Sequence, residues 1–175
     1  DDTADIGLAT ESLSEFDELI TLPCYEWQHV IVVPNHHPLA TVARPTLEQL
    51  AEYPLVTYQA AFTGRRRIDQ AFAQRRLTPT IALEAIDSDV IKTYVRSGLG
   101  VGIVAEMAMQ GEPPQGELVN KPAMHLFGQN TSRVAFRRGA YLRGYVLNFA
   151  ELLSPRLTRP LIERALTGHG DDYAL

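Results

Sequence analysis

The sequence predicts an α/β fold with largely parallel strand pairing, open to a division into two lobes. Three observations carry this. Short apolar runs of strand type alternate with segments of helical periodicity, the order that builds βαβ units. The 175 residues are 45% hydrophobic and 21% charged, a globular balance that argues against disorder, collagen and coiled coil. That length holds one domain or two lobes of about 70 to 100 residues, and joints near Leu22-Pro23 and from Met124 to Gln129 suit a passage between lobes.

Asp5 to Thr10 forms a short apolar strand almost at the first residue. A strand there needs partners from elsewhere, so the sequence is expected to begin inside a domain. Two more strands follow, Leu19 to Cys24 and Trp27 to Val33, the second closed by the turn residues Pro34 to Pro38. Thr46 caps a short helix and Gln49 completes a capping box. Leu55 to Tyr58 is a strand, and Arg65 to Arg76 a helix with Ile68 and Phe72 on one face. Thr80 to Ala85 is a strand. Asp87 or Asp89 caps the next helix, which carries Val90, Ile91, Tyr94 and Val95 inward and ends at Gly98. Leu99 to Ala105, Glu117 to Lys121 and Ser132 to Phe136 complete the strands. Tyr141 to Leu153 is a helix striped by Leu142, Val146, Phe149 and Leu153, a last short helix follows Pro155 and Pro160, and the tail from Gly168 frays.

Composition narrows the function. Sixteen basic against twenty-one acidic residues give a net charge of −5, which repels phosphate backbones, so these residues alone make a poor nucleic-acid binder. Cys24 stands alone, which excludes an internal disulfide framework and a cysteine metal cage. No apolar run reaches the roughly 18 to 20 residues of a membrane span, and the acidic start is not a signal peptide. A soluble cytoplasmic protein is expected.

One segment offers chemistry: Phe62-Thr63-Gly64-Arg65, between a strand and a helix. Ligands of open α/β sheets gather at the carboxyl ends of strands. Thr63 supplies a hydroxyl, Gly64 lets the backbone come close, and free N–H groups with the helix dipole favour a small anion; the plainer alternative is that Thr63 only caps the helix. Thr10-Glu11-Ser12 also ends a strand; taken alone it reads as a polar loop, although its hydroxyls could face the same crevice. Neutral donors of this kind can hold a fully ionised anion such as sulfate. Trp27 is placed to stack on a ligand or to sit half-buried in its strand. The run Gly98-Leu99-Gly100-Val101-Gly102 enters a strand rather than a helix, the reverse of a dinucleotide loop. His36-His37 lie in a turn without a second ligand pair, no G-x-S-x-G elbow occurs, and the arginines at 65–67 and 75–76 read as a solvated helix face. No catalytic constellation survives.

The order of segments carries a resemblance. Ala4-Asp5-Ile6-Gly7-Leu8-Ala9-Thr10-Glu11, Leu22-Pro23-Cys24-Tyr25-Glu26-Trp27, His37-Pro38-Leu39-Ala40 and Glu52-Tyr53-Pro54-Leu55-Val56-Thr57-Tyr58 come first. Phe62-Thr63-Gly64-Arg65, Asp89-Val90-Ile91-Lys92-Thr93-Tyr94-Val95-Arg96, Gly98 to Gly102 and Phe136-Arg137-Arg138 follow. Together, from about residue 4 to residue 165, they resemble the effector domain of LysR-type transcriptional regulators, in the branch that governs sulfur assimilation and cysteine biosynthesis. The His-Pro-Leu and Gly-Leu-Gly-Val elements are common in that family. The Thr-Gly-Arg segment and the Asp-Val-Ile-Lys run are far more specific.

The resemblance implies a periplasmic-binding-protein-like fold, two α/β lobes with a ligand cleft, here with residues 1–22 and 127–175 as a partial first lobe and 23–126 as the second. It implies a winged helix-turn-helix and further first-lobe strands outside these residues, with promoter DNA contacted only through that missing part. The effector would be sulfate, N-acetylserine or O-acetylserine, with no other cofactor and no metal. Thr10 and Thr63 match the family's threonine ligands, Tyr25 and Trp27 its aromatic positions, and Phe62, Gly64 and Arg65 flank Thr63. A homo-oligomer, dimer or tetramer, is implied, with RNA polymerase as a partner of the full-length protein and no membrane. The alternatives are a solute-binding component of an anion transport system, which shares the fold, and a small α/β enzyme, which the missing nucleophile and base disfavour.

Overall fold

The computed structural model describes residues 4–10, 16–113 and 116–168. The chain divides into two compact units, residues 1–26 with 130–175 and residues 27–129. The passages between them lie at 26/27 and 129/130, a few residues beyond the joints the sequence suggests. Their elements in chain order are β1 (Gly7–Ala9), β2 (Leu19–Pro34), α1 (Leu47–Ala51), β3 (Leu55–Tyr58), α2 (Thr63–Gln74), β4 (Ile81–Ala85) and α3 (Ser88–Arg96). β5 (Val101–Ala105), β6 (Leu118–Pro122), α4 (Met124–Phe127), β7 (Gln129–Arg137), α5 (Gly144–Leu153) and α6 (Arg159–Leu166) follow.

β2 corrects the expectation of two strands. It runs 16 residues without a break, straight through Pro23. Its composition changes along the way. In the first unit Ile20, Leu22 and Cys24 alternate inward onto a core of Val134 and Phe136 from β7, Val146, Leu147 and Ala150 from α5, and Ile162 from α6. β1 pairs antiparallel with β7 there, Gly7 opposite Ala135. In the second unit β2 is apolar at every position from Val30 to Val33, because both of its faces are covered. Ile31 and Val33 pack with Leu50, Ile68, Phe72 and Phe127 on one side. Val30 and Val32 pack with Ile91, Val95 and Leu118 on the other.

Pairing is mixed rather than largely parallel. β3 is parallel to β4 and to β5, since α2 and α3 supply the crossovers that parallel strands need. β2 meets β5 and β6 antiparallel, because no helical crossover of that kind joins it to either.

The capping box of Thr46 and Gln49 is present, Asp87 caps α3 by accepting from the Asp89 N–H, and Gly98 takes a φ of 80°. Two helix faces differ from expectation. On α3, Ile91 and Val95 are buried but Val90 and Tyr94 lie in solvent at 40% and 44% exposure. The face is narrowed by Lys92, which is also buried. α5 begins at Gly144 and buries Val146, Leu147 and Ala150, leaving Phe149 at 49% exposure. The buried stripe is therefore turned from the predicted one.

Candidate functional site

The head of α2 is where the candidate residues of the second unit gather. The helix starts two residues before the expected Arg65. Phe62 stands at its N-cap with no side-chain cap, so Thr63 is the first helical residue and not the cap. The chain reaches this start through a turn: the Phe62 N–H donates to the Gln59 carbonyl at 3.0 Å and the Arg65 N–H to the Phe62 carbonyl at 3.0 Å. Such an uncapped start leaves the helix dipole unanswered by any capping side chain. The side chain of Thr63, like Glu11 and Ser12, lies outside the described part.

Gly64 is buried, and its neighbours explain why it is glycine. A Cβ there would lie 3.0 Å from Trp27 Cη2 and 3.0 Å from His29 Nε2. The absent side chain thus lets the first turn of α2 rest on β2, and the close approach is to protein. Trp27 and His29 meet edge to face with ring centroids 5.0 Å apart, and His29 meets Phe127 at 5.8 Å. His29 has no exposure, and burial, with a smaller push from the Arg67 charge, lowers its pKa to about 4.

Phe62 is 42% exposed and tilts against Tyr58 at 5.9 Å. Tyr58 accepts the Ala105 N–H on its hydroxyl at 3.2 Å, and burial raises its pKa. Arg65 departs from the ligand set. It is 7% exposed, and its guanidinium donates to Asp69 at 2.7 Å, to Glu84 at 2.6 Å and to the Tyr58 carbonyl at 2.8 Å. Its charge is matched by two carboxylates, so it braces α2 against β3 and β4 instead of offering a free cation. The Asp-Val-Ile-Lys run is likewise structural: Lys92 pairs with Asp89 and Glu112 and donates to the Ala108 carbonyl at 2.9 Å.

In the first unit, Tyr25 is 37% exposed on β2, and Thr10 follows β1 at 7% exposure. Thr10 Oγ1 is buried and has no hydrogen-bond partner among the described residues. A hydroxyl left so costs about 1 to 3 kcal/mol, and a bound polar group would offset it. His29 is the residue that sequence reasoning missed. The signal was the two-residue spacing from Trp27, which puts both rings on one face of β2.

Among the described residues no group of three or more His, Cys, Asp or Glu side chains could hold a metal ion, and no helix is long and apolar enough to cross a membrane. Residues 1–158 match the LysR substrate binding domain. The chain is 55% identical over 174 residues to the HTH-type transcriptional regulator CysB of Burkholderia cenocepacia, covering 99% of this chain and 55% of that protein. It is 45% identical over 161 residues to the HTH-type transcriptional regulator cbl of Escherichia coli, covering 92% of this chain and 51% of that protein. The chain thus spans about half the length of these curated relatives. The solved cofactor-binding domain of the Cbl transcriptional regulator superposes with a TM-score of 0.84 at 45% identity, over 93% of this chain and 71% of that one. These relatives are transcriptional regulators, and nothing among them supports the transport alternative. The fold, with its mixed sheet, is that of the periplasmic-binding-protein-like regulatory domains, and this chain belongs to the LysR substrate-binding domain family, close to CysB and Cbl.

Proposed function

We propose that this chain is the effector-sensing part of a transcriptional activator of sulfur assimilation and cysteine biosynthesis, and that it binds a small oxyanion or acetylserine at the head of α2. The reading is carried by the match to CysB over 99% of the chain at 55% identity. The uncapped start of α2 supports an anion there, since N-terminal N–H groups and the helix dipole attract negative charge. Sulfate, N-acetylserine and O-acetylserine are the effectors proposed. Thr63 and Gly64 supply donors at the helix head, with Phe62 and Trp27 as its aromatic surroundings. In the first unit, taken by itself, Tyr25 and Thr10 are proposed as ligand contacts, and the burial of the Thr10 hydroxyl without a described partner suits that role.

In the whole protein, a helix-turn-helix part contacts promoter DNA in the cytoplasm, paired subunits set the spacing of those parts, and RNA polymerase is the downstream partner. Effector binding favours one arrangement of the assembly, by no more than its differential affinity for the two states. No reaction is catalysed in this scheme.

A thermal-shift titration tests it, with sulfate, thiosulfate, O-acetylserine and N-acetylserine against chloride at matched ionic strength. A ligand at about a hundred times its dissociation constant adds roughly 2.7 kcal/mol of stability. A shift with one of the four and none with chloride is expected. Equal behaviour of all five would refute the effector assignment.

A further inference from the structure

Beneath the head of α2 lies a buried imidazole that the proposed function does not use. His29 is 0% exposed and is held on three sides. Trp27 and Phe127 present ring contacts at 5.0 and 5.8 Å. Gly64 closes the third, its hydrogen standing where a Cβ would come within 3.0 Å of His29 Nε2. The first turn of α2 therefore rests directly on this ring, and the ring sets how far the helix head stands from β2.

We propose that His29 is a positioning residue for the oxyanion at the head of α2, seating the first turn and taking up a proton when the anion binds. The inference rests on the oxyanion reading above. Without the anion the ring stays neutral, because burial disfavours its charged form and the Arg67 guanidinium adds repulsion. Arg67 on α2 is a charged group that acts on the ring, while the ring and backbone contacts of Trp27 on β2, Gly64 on α2 and Phe127 on α4 are not ionisable. The other histidine of that region, His125 on α4, is engaged with the Pro45 carbonyl at 2.9 Å. A dianion on the N–H groups of the first turn offsets the Arg67 repulsion and favours imidazolium. By reciprocity, a protonated His29 binds the anion more tightly. Sulfate stays fully ionised through the mildly acidic range, so a pH dependence of its binding belongs to the protein.

The sequence holds one tryptophan, Trp27, in contact with the ring, and a protonated imidazole quenches indole emission. Emission is followed from about pH 8 to about pH 3 with sodium sulfate and with sodium chloride at equal ionic strength, far-UV circular dichroism confirming the fold at each pH. Sulfate should raise the quenching midpoint by about one to two units, and its dissociation constant, measured by calorimetry, should fall roughly fourfold between pH 8 and pH 5. In His29→Gln the quenching transition and the pH dependence of sulfate binding should both vanish, which a merely space-filling role would not produce. If that variant fails to fold, the wild-type midpoints in sulfate and chloride still decide the matter. Equal midpoints, or a sulfate dissociation constant unchanged across that range, overturn the role of His29 while leaving the oxyanion reading intact. Absence of sulfate binding at every pH overturns the sulfate reading and the inference with it.

Discussion

Replacing Gly100 by alanine places a methyl group against the backbone of Pro54. The new Cβ would overlap the Pro54 carbonyl oxygen and lie 2.9 Å from the carbonyl carbon, both of them backbone atoms that no rotamer change can move. The same oxygen accepts the Val101 N–H at 2.8 Å, one step from the β3–β5 pairing of Leu55 with Val101. Relief requires β5 to draw away from β3. That forfeits a hydrogen bond worth about 0.5 to 1.5 kcal/mol and disturbs Leu55 and Val101, both fully buried, at an overpacking cost of about 1 to 3 kcal/mol. Gly100→Ala should therefore lose about 3 kcal/mol, and Tm should fall by roughly 6 to 12 °C for a chain of this size. Gly98→Ala is the matched control. It has a φ of 80° but nothing within 4 Å of its Cβ, so it should lose only about 1 kcal/mol through the left-handed backbone. Urea unfolding of the two variants beside the wild type measures the difference. A Gly100→Ala loss no larger than that of Gly98→Ala would refute the reasoning that Gly100 lacks a side chain so that β5 can close on β3.

Other perturbations reach other parts of the chain. Ser154→Ala removes the donor to the buried Cys24 carbonyl, a bond of 2.8 Å, and should cost about 1 to 2 kcal/mol in urea unfolding; a neutral result would mean that the carbonyl finds a substitute. The folded chain keeps His29 neutral down to about pH 4, whereas the unfolded chain protonates it near the ordinary 6.5. Between those values the unfolded state binds more protons, so stability falls as pH falls, by on the order of 3 kcal/mol at pH 4. His29→Gln should flatten that decline, and an unchanged pH profile of unfolding would argue against it. Thr63→Ala should weaken sulfate binding by about 1 to 3 kcal/mol in calorimetry, and an unchanged dissociation constant would remove Thr63 from the site.

The fold was legible wherever one short stretch decides it. Thr46 and Gln49 sit three residues apart, and both halves of their capping box form. Strand pairing was less legible, because it depends on which elements are joined by crossovers. The unbroken apolar stretch from Val30 to Val33 marks a strand covered on both faces, but nothing within it says whether β5 will lie parallel or antiparallel. The start of α2 escaped for a different reason. Helix starts are read from capping side chains, and this one is made by the turn from Gln59 to Phe62, whose backbone bonds wind into the helix without one.

The three arginines at the head of α2 show how far a local reading of the site can go. In sequence they are equivalent, and a solvated basic face is the economical reading. Asp69, four residues after Arg65, made a helical ion pair foreseeable, but Glu84 comes from β4, and only the fold brings it within 2.6 Å. With that second carboxylate and the Tyr58 carbonyl, Arg65 becomes a buried brace that fixes the direction of α2. Arg67 acts instead on His29, 38 positions earlier, helping to hold it neutral. On the proposed reading, anion recognition at this helix head falls to backbone N–H groups and hydroxyls. Such donors can hold sulfate, and they would also admit an acetylserine through its carboxylate. A free arginine at this position would bind any anion more tightly, and would discriminate less between an inducer and inorganic phosphate. If that reading holds, the two carboxylates that engage Arg65 act on selectivity as well as on stability, and Glu84→Gln should raise affinity for phosphate relative to sulfate in parallel calorimetric titrations. A ratio unchanged from the wild type would return Arg65 to a purely structural role.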